Sequence, residues 1–467
     1  MSANTKQPGG ELLATGEEMV LRAALREALG AATPPDVTGR VLAALAQPRS
    51  VSRAPRLWLS AALLFLGLGA TLWIAVTGGS DANGDLEAPL LPPDPSSDLP
   101  PPLVLHTLSQ VPADVRNLRL ELREVDRVPD LRPVARLALL ERLDLALAEP
   151  ARFAAADRAG EDEQILAARF LGPLLDCPEL HTLALRDLPF WNERHLDVLS
   201  GLPGLQSLRL ESDGSRRLDV PLAAVIARLP GLLSLELVGL RLSGEGLATL
   251  AEQGRLQRLH LLNCRIPSAD VLGELARFEG LLDLRLSGID WPALFELRGP
   301  DPDTSRWLTP EFLRSLPRVR ALDLSYNPLR PEQIAALPDS LQSLRLTWLL
   351  EADEELAVPL AALPQLTDLV FSFSGNPDET RRLLVALLRA KSFRRLVLHD
   401  PANEVLEALG EQRQLQELEL HFGRRFGVDL GPLERLRNLR RVHLSGLPEA
   451  VARQLAERID AEVTASD

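Results

Sequence analysis

Thirteen times between Val115 and the C-terminal end, the sequence repeats the pattern LxxLxL, with Val or Phe sometimes standing for a leucine. It opens at Val115, Leu140, Leu180, Leu205, Leu232, Leu256, Leu281, Val319, Leu341, Leu366, Phe393, Leu415 and Leu439. The interval is nearly constant except for two longer gaps, from Leu140 to Leu180 and from Leu281 to Val319. The last two apolar residues of each motif alternate with a variable one, so they share the buried face of a short strand. Apolar residues at helical spacing follow, as in HLDVLSGLPGL, LAAVIARLPGL and VLGELARFEGL, and a proline or glycine stops each segment before the next strand. One unit of this kind cannot bury its own leucines, whereas stacked units bury each other's. The predicted fold is therefore an α/β solenoid, with a curved parallel sheet on its concave face and helices on its convex face.

Two units, LQRLHLLNCRI with Cys264 and VRALDLSYNPL with Asn327, match the longer pattern LxxLxLxxN/CxL. On these residues the chain resembles the leucine-rich repeat family, in a membrane-anchored bacterial form; the resemblance implies a binding scaffold without a cofactor. At most other units that position holds an apolar residue, such as Leu188, Leu240, Ile289, Leu349 or Leu447. The expected domain covers 103–467 in about thirteen repeats, with long units around 148–166 and 295–312 that leave the solenoid as loops. The stretch PLVLHTLSQVP and a helix over 448–463 are expected to cap its ends. Cys177 and Cys264 are far apart and fall inside the repeat pattern, which predicts buried free thiols and no disulfide framework.

Ahead of the repeats, 57–77 is an uncharged apolar run with Trp58 and Trp73 near its ends. At about 1.5 Å per residue a helix of that length matches a bilayer core. The segment before it, 1–56, is too long for a signal-peptide leader, so a single uncleaved transmembrane helix is expected. Arg49, Arg53 and Arg56 precede the run and no basic residue follows closely, which places the N-terminus in the cytoplasm and the repeats outside, periplasmic or extracellular. Residues 1–56 carry a net charge of +2 and read as a short cytoplasmic helical segment, while residues 78–102 are a proline-rich acidic linker. Everything after residue 77 carries a net −16, which offers no electrostatic footprint for nucleic acid.

The residue between the two closing leucines of each motif faces out from the sheet, and in the central units these residues are Arg209, Glu236, His260, Arg285, Asp323 and Arg345. Such a column reads either as a self-neutralising ladder or as a polar surface for a protein or cell-envelope partner. A second row, one position before the Asn/Cys site, holds Tyr326, Trp348, Phe373 and Phe422, and aromatics on a rigid rim are common binding anchors. The alternative is that these rings fold back over the core. The scattered histidines show no metal-ligand spacing, and neither HExxH nor GxSxG occurs, so no catalytic or metal residues are expected. The favoured function is a membrane-anchored binding scaffold. The runner-up couples binding to residues 1–56, a layout similar to that of single-pass anti-sigma regulators, and an envelope hydrolase is a remote third.

Overall fold

The structure, a computed structural model, describes residues 101–105, 111–122, 131–147, 170–186, 188, 193–212, 216–289, 307–316, 318–327, 329–349, 354–373, 376–423 and 428–466. The expected cytoplasmic segment and membrane span, most of the linker, and the insertions over 148–166 and 295–306 lie outside them. Among the described residues no helix is long and apolar enough to cross a membrane.

The strands, in chain order, are β1 (Leu103–Leu105), β2 (Asn117–Leu122), β3 (Arg142–Leu147), β4 (Thr182–Arg186), β5 (Ser207–Glu211), β6 (Arg217–Leu218), β7 (Ser234–Val238), β8 (Arg241–Leu242) and β9 (Arg258–Leu262). They continue as β10 (Asp283–Ser287), β11 (Ala321–Asp323), β12 (Ser343–Leu349), β13 (Asp368–Phe373), β14 (Arg395–His399), β15 (Glu417–His421), β16 (Arg441–Ser445) and β17 (Glu462–Ser466). Fifteen of them form one sheet in sequence order, and β6 pairs with β8 in a separate ladder. Every pairing is parallel. A parallel neighbour requires a crossover, and the repeat interval is long enough for one strand, one return segment and two turns.

Register follows from the leucines. Leu118, Leu143, Leu183, Leu208, Leu235, Leu259 and Leu284 pair in one unbroken row, and each is fully buried. A slip by one residue would turn every leucine of a strand to solvent, so the period-two pattern fixes the pairing. The return segments pack against the other side of these rows, giving one continuous core from Leu118 to Leu455.

The return segments are shorter than the apolar spacing predicts. HLDVLSGLPGL becomes an α-turn at Glu193–Asp197 followed by a 3₁₀ turn at Val198–Gly201, and VLGELARFEGL splits in the same way at Asp270–Gly273 and Glu274–Arg277. Among the described helices, Pro377–Ala390 alone runs longer than Val220–Ala227 and the others of its length. The repeat length is the cause: once the strand and both turns are made, few residues remain, and short 3₁₀ turns suit that gap. Two of the longer helices are capped by a side chain, Val220–Ala227 by Asp219 and Gly244–Ala251 by Ser243. The Ser243 hydroxyl also donates to Leu218 O at 2.7 Å, tying its cap to the preceding unit.

At the N-terminal end Leu103–Leu105 is a strand paired with β2. The C-terminal end differs from the sequence reading. The helix expected over 448–463 stops at Ala456, and Glu462–Ser466 adds a final strand beside β16. The reason is a change of period: Ile459, Ala461 and Val463 alternate, and all three pack on the core.

Candidate functional site

The variable residue of each motif lies on the open face of the sheet, and the registers join these residues into one column. Arg119, Asp144, Ala184, Arg209, Glu236, His260 and Arg285 are successive partners, followed by Asp323, Arg345, Val370, Val397, Glu419, His443 and Thr464. Residues two positions to either side share the same face, so the surface is three columns wide.

Charges on this face are paired along and across strands. Arg209 meets Glu236 at 2.7 Å and Glu211 at 2.8 Å, and Arg186 meets Asp144 at 2.7 Å. His260 lies 3.4 Å from Asp283, Arg285 is 3.9 Å from Asp283, and Arg345 is 3.8 Å from Asp323. Burial pushes the Asp283 carboxyl up, but the hydrogen bond and charge of His260, aided by Arg285 and Arg258, outweigh it and hold the group low. Arg209 is only 18% exposed, so its two carboxylates hold it against a real desolvation cost, whereas Arg285 and Arg345 at about 40% are screened by solvent. The six charged or histidine residues picked from the sequence therefore stand on one surface. The i±2 flanks also contribute Glu211, Asp283 and Arg186, which a one-residue-per-motif reading passes over although the strand period gives them.

The row proposed as an aromatic rim has a different basis. At this position six units turn out of the strand in a left-handed conformation, with φ of 71° at Gly239, 52° at Asn263, 62° at Gly288, 61° at Tyr326, 48° at Asp400 and 77° at Gly446, so of the four aromatics Tyr326 alone sits in this turn. The turn keeps each N–H in the ladder, since Tyr326 N donates to Thr347 O and Asp400 N to His421 O. Glycine, asparagine and aspartate tolerate this geometry; tyrosine does so rarely. Tyr326 is half-buried. Phe422 is 5% exposed and belongs to the core, so it is not a surface anchor: its ring covers the leucine row where no ladder asparagine stands. Trp348 lies on β12 and Phe373 on β13; their side chains fall outside the described part.

Toward the C-terminal end three histidines converge. His399 and His421 stack with centroids 4.4 Å apart, and His443 meets His421 edge-on at 6.3 Å. His421 bonds Glu419 at 2.8 Å and Ser445 at 3.1 Å, and His443 bonds Thr464 at 2.9 Å and Ser466 at 3.1 Å. The ring nitrogens of His421 and His443 are thus engaged within the sheet, and among the described residues no group of three or more His, Cys, Asp or Glu is placed to hold a metal ion.

Burial and the neighbouring His421 pull the His399 imidazole down to about 4, with Arg345 adding to this and Glu419 and Asp400 opposing it. A histidine whose folded pKa is depressed binds its proton more readily in the unfolded chain, so folding loses stability as pH falls from 6.5 to about 4. Glu419 acts in the same direction: burial raises its pKa, His421 lowers it further, and the stability this contributes above the ordinary value of 4.5 is lost in acid. Denaturant melts should therefore weaken by about 2 kcal/mol between pH 7 and pH 4. His399→Gln should remove most of that slope, and an undiminished slope would locate the effect elsewhere.

The two units that match the longer motif show what holds neighbouring units in step. Asn327, 4% exposed, donates from Nδ2 to Leu324 O and Ser325 O at 3.0 Å and to Leu286 O of the preceding unit at 2.6 Å. At the equivalent position Cys264 is fully buried, and its thiol donates to Leu237 O at 3.3 Å. The fold is a leucine-rich repeat solenoid. Cys177 is likewise a free buried thiol, and burial pushes the thiol pKa values to about 11 for Cys177 and about 12 for Cys264, which leaves both unreactive.

No protein-family model matches the chain, and no curated protein matches it. Among solved leucine-rich repeat structures, it is similar to the TLR13–ssRNA13 complex at 18% identity and TM-score 0.37, covering 71% of this chain and 43% of that one. It therefore spans less than half of the TLR13 chain. A Leptospira interrogans repeat protein matches at 19% identity and TM-score 0.30, covering 77% of this chain and 99% of that one. An internalin from Listeria monocytogenes matches at 18% and 0.32, covering 72% and 83%. At such scores the fold rests on the registers and ladder contacts of this chain itself.

Proposed function

We propose that this leucine-rich repeat chain is a membrane-anchored scaffold whose open sheet face binds a protein or a cell-envelope component. The observation that carries the reading is the column of variable residues, held in continuous register from Arg119 to Thr464 beside a core that is mostly leucine. A rigid surface with alternating charge gives orientation and partner choice, and repeat scaffolds leave specificity to such residues. The anchor is the uncharged run 57–77, with residues 1–56 in the cytoplasm and the repeats outside.

Partner capture from intact cells tests this. Changing Arg285 and Arg345 to Ala should lower recovery of the captured partner at least tenfold, while the same change at Arg435 and Arg458 on the return-segment side should leave it unchanged. Equal recovery from both would sink the reading. Protease added outside intact cells should cleave the repeats, and complete protection would reverse the orientation.

A further inference from the structure

On the open face where β3, β4 and β5 lie side by side, the column narrows to a small residue. Ala184, itself only 3% exposed in the free protein, pairs with Asp144 on one side and Arg209 on the other. The polar atoms around it are incompletely matched. The 2.7 Å pair between Arg186 Nη2 and Asp144 Oδ2 leaves Arg186 Nε and Asp144 Oδ1 without a hydrogen-bond partner, and Thr182 Oγ1 also lacks one. Asp144 is 4% exposed and Thr182 7%, so these are buried groups carrying an unrecovered desolvation cost.

Their chemistry restricts what satisfies them. Nε is a donor, Oδ1 an acceptor, and the threonine hydroxyl is either. A cationic ligand group would face Arg186, Arg209 and Arg119, which sit close enough to influence one another, while an anionic one would face Asp144 and Glu211. A neutral group offering donor and acceptor on adjacent atoms fits both demands. None of the open-face residues of β2–β5 is aromatic, so the site has no stacking plane of the kind that favours a sugar.

We propose that the notch at Ala184, bordered by Asp144, Thr182 and Arg186, is a subsite for a carboxamide of a bound polypeptide. Its N–H donates to Asp144 Oδ1 and its carbonyl accepts from Arg186 Nε. The group comes either from an Asn or Gln side chain or from the main chain, and it reaches the notch by displacing the neighbouring Arg209 arm while Arg186 stays paired with Asp144. The subsite rests on the open-face reading above and adds the class of partner to it.

Random heptapeptides displayed on phage, selected against the full-length chain, test the assignment. Binders should share an Asn or Gln whose change to Asp or Glu weakens binding at least tenfold. If the main chain supplies the group instead, replacing one amide by an ester has that effect. Ala184→Leu should abolish binding by filling the notch. Thr182→Val should weaken it severalfold while leaving the melting temperature equal or higher, because the lost hydroxyl has no partner in the free protein. That last combination is one a purely structural threonine would not show, and it stands even if Ala184→Leu fails to fold. Binders indifferent to Thr182→Val and Ala184→Leu but lost on Ser343→Leu, elsewhere on the open face, overturn the subsite and leave the open-face reading standing. Binders indifferent to all three overturn both, and an empty selection overturns the subsite.

Discussion

Replacing Asn327 by alanine should cost about 3 kcal/mol. The amide donates to three carbonyls, those of Leu286, Leu324 and Ser325, at a site 4% exposed. The two amide N–H groups are shared among these acceptors; alanine removes them from all three, Ser325 O keeping its bond from Gly288 N, and the Leu286 carbonyl belongs to the preceding unit, so the damage falls on the junction between β10 and β11. Cys264→Ala removes one weaker thiol bond at the equivalent position and should cost markedly less. Because repeat arrays unfold in segments, the loss is read by amide exchange of the strands flanking the junction as well as by denaturant melts. A cost below about 1 kcal/mol for Asn327→Ala, or equality with Cys264→Ala, would show that the ladder contact is incidental.

Gly446→Ala should be as damaging, for a backbone reason. Gly446 sits at φ 77° between β16 and β17, and a Cβ built there would lie 1.9 Å from Phe422 O. That contact is with main chain, so no side-chain rotation relieves it, and the left-handed conformation adds about 1–2 kcal/mol for an L-residue. The β15–β16 junction must open or the turn must change. A changed turn breaks the bond from Gly446 N to Ser466 O and loosens the end of the ladder that holds the last strand. The expected loss is about 3 kcal/mol, with amide protection disappearing first across Glu462–Ser466. Gly273→Ala is the control: it ends a short helix with nothing within 4 Å of a new Cβ and should be neutral or stabilising by up to about 1 kcal/mol. Similar effects from the two substitutions would contradict the turn geometry.

The sheet was legible because LxxLxL carries its own register: two leucines flanking one residue leave no choice of face, and Leu118 through Leu444 obey it. The open-face column followed from the same alternation, as did the free buried thiols. Less was readable where several periods compete. The return segments look helical in sequence, yet their length admits mostly single turns. Ile459, Ala461 and Val463 switch to period two after a helix, and the switch covers too few residues to stand out. The aromatic row was misleading at Phe422 because sequence position alone does not say whether a ring at the strand exit turns outward or back over the core. The notch at Ala184 was invisible for another reason: alanine in a variable position carries no signal, and its meaning depends on Asp144, which lies beyond the longer of the two gaps in the repeat.

The most direct test places a photo-crosslinking amino acid at single positions of the full-length chain in living cells. Position 236 or 345, on the open sheet face, should give partner adducts. Position 358 should give none, although Val358 is 75% exposed on the return-segment side and is the most exposed large apolar residue among those described. Adducts at 358, with none at 236 or 345, would contradict the assignment of binding to the sheet.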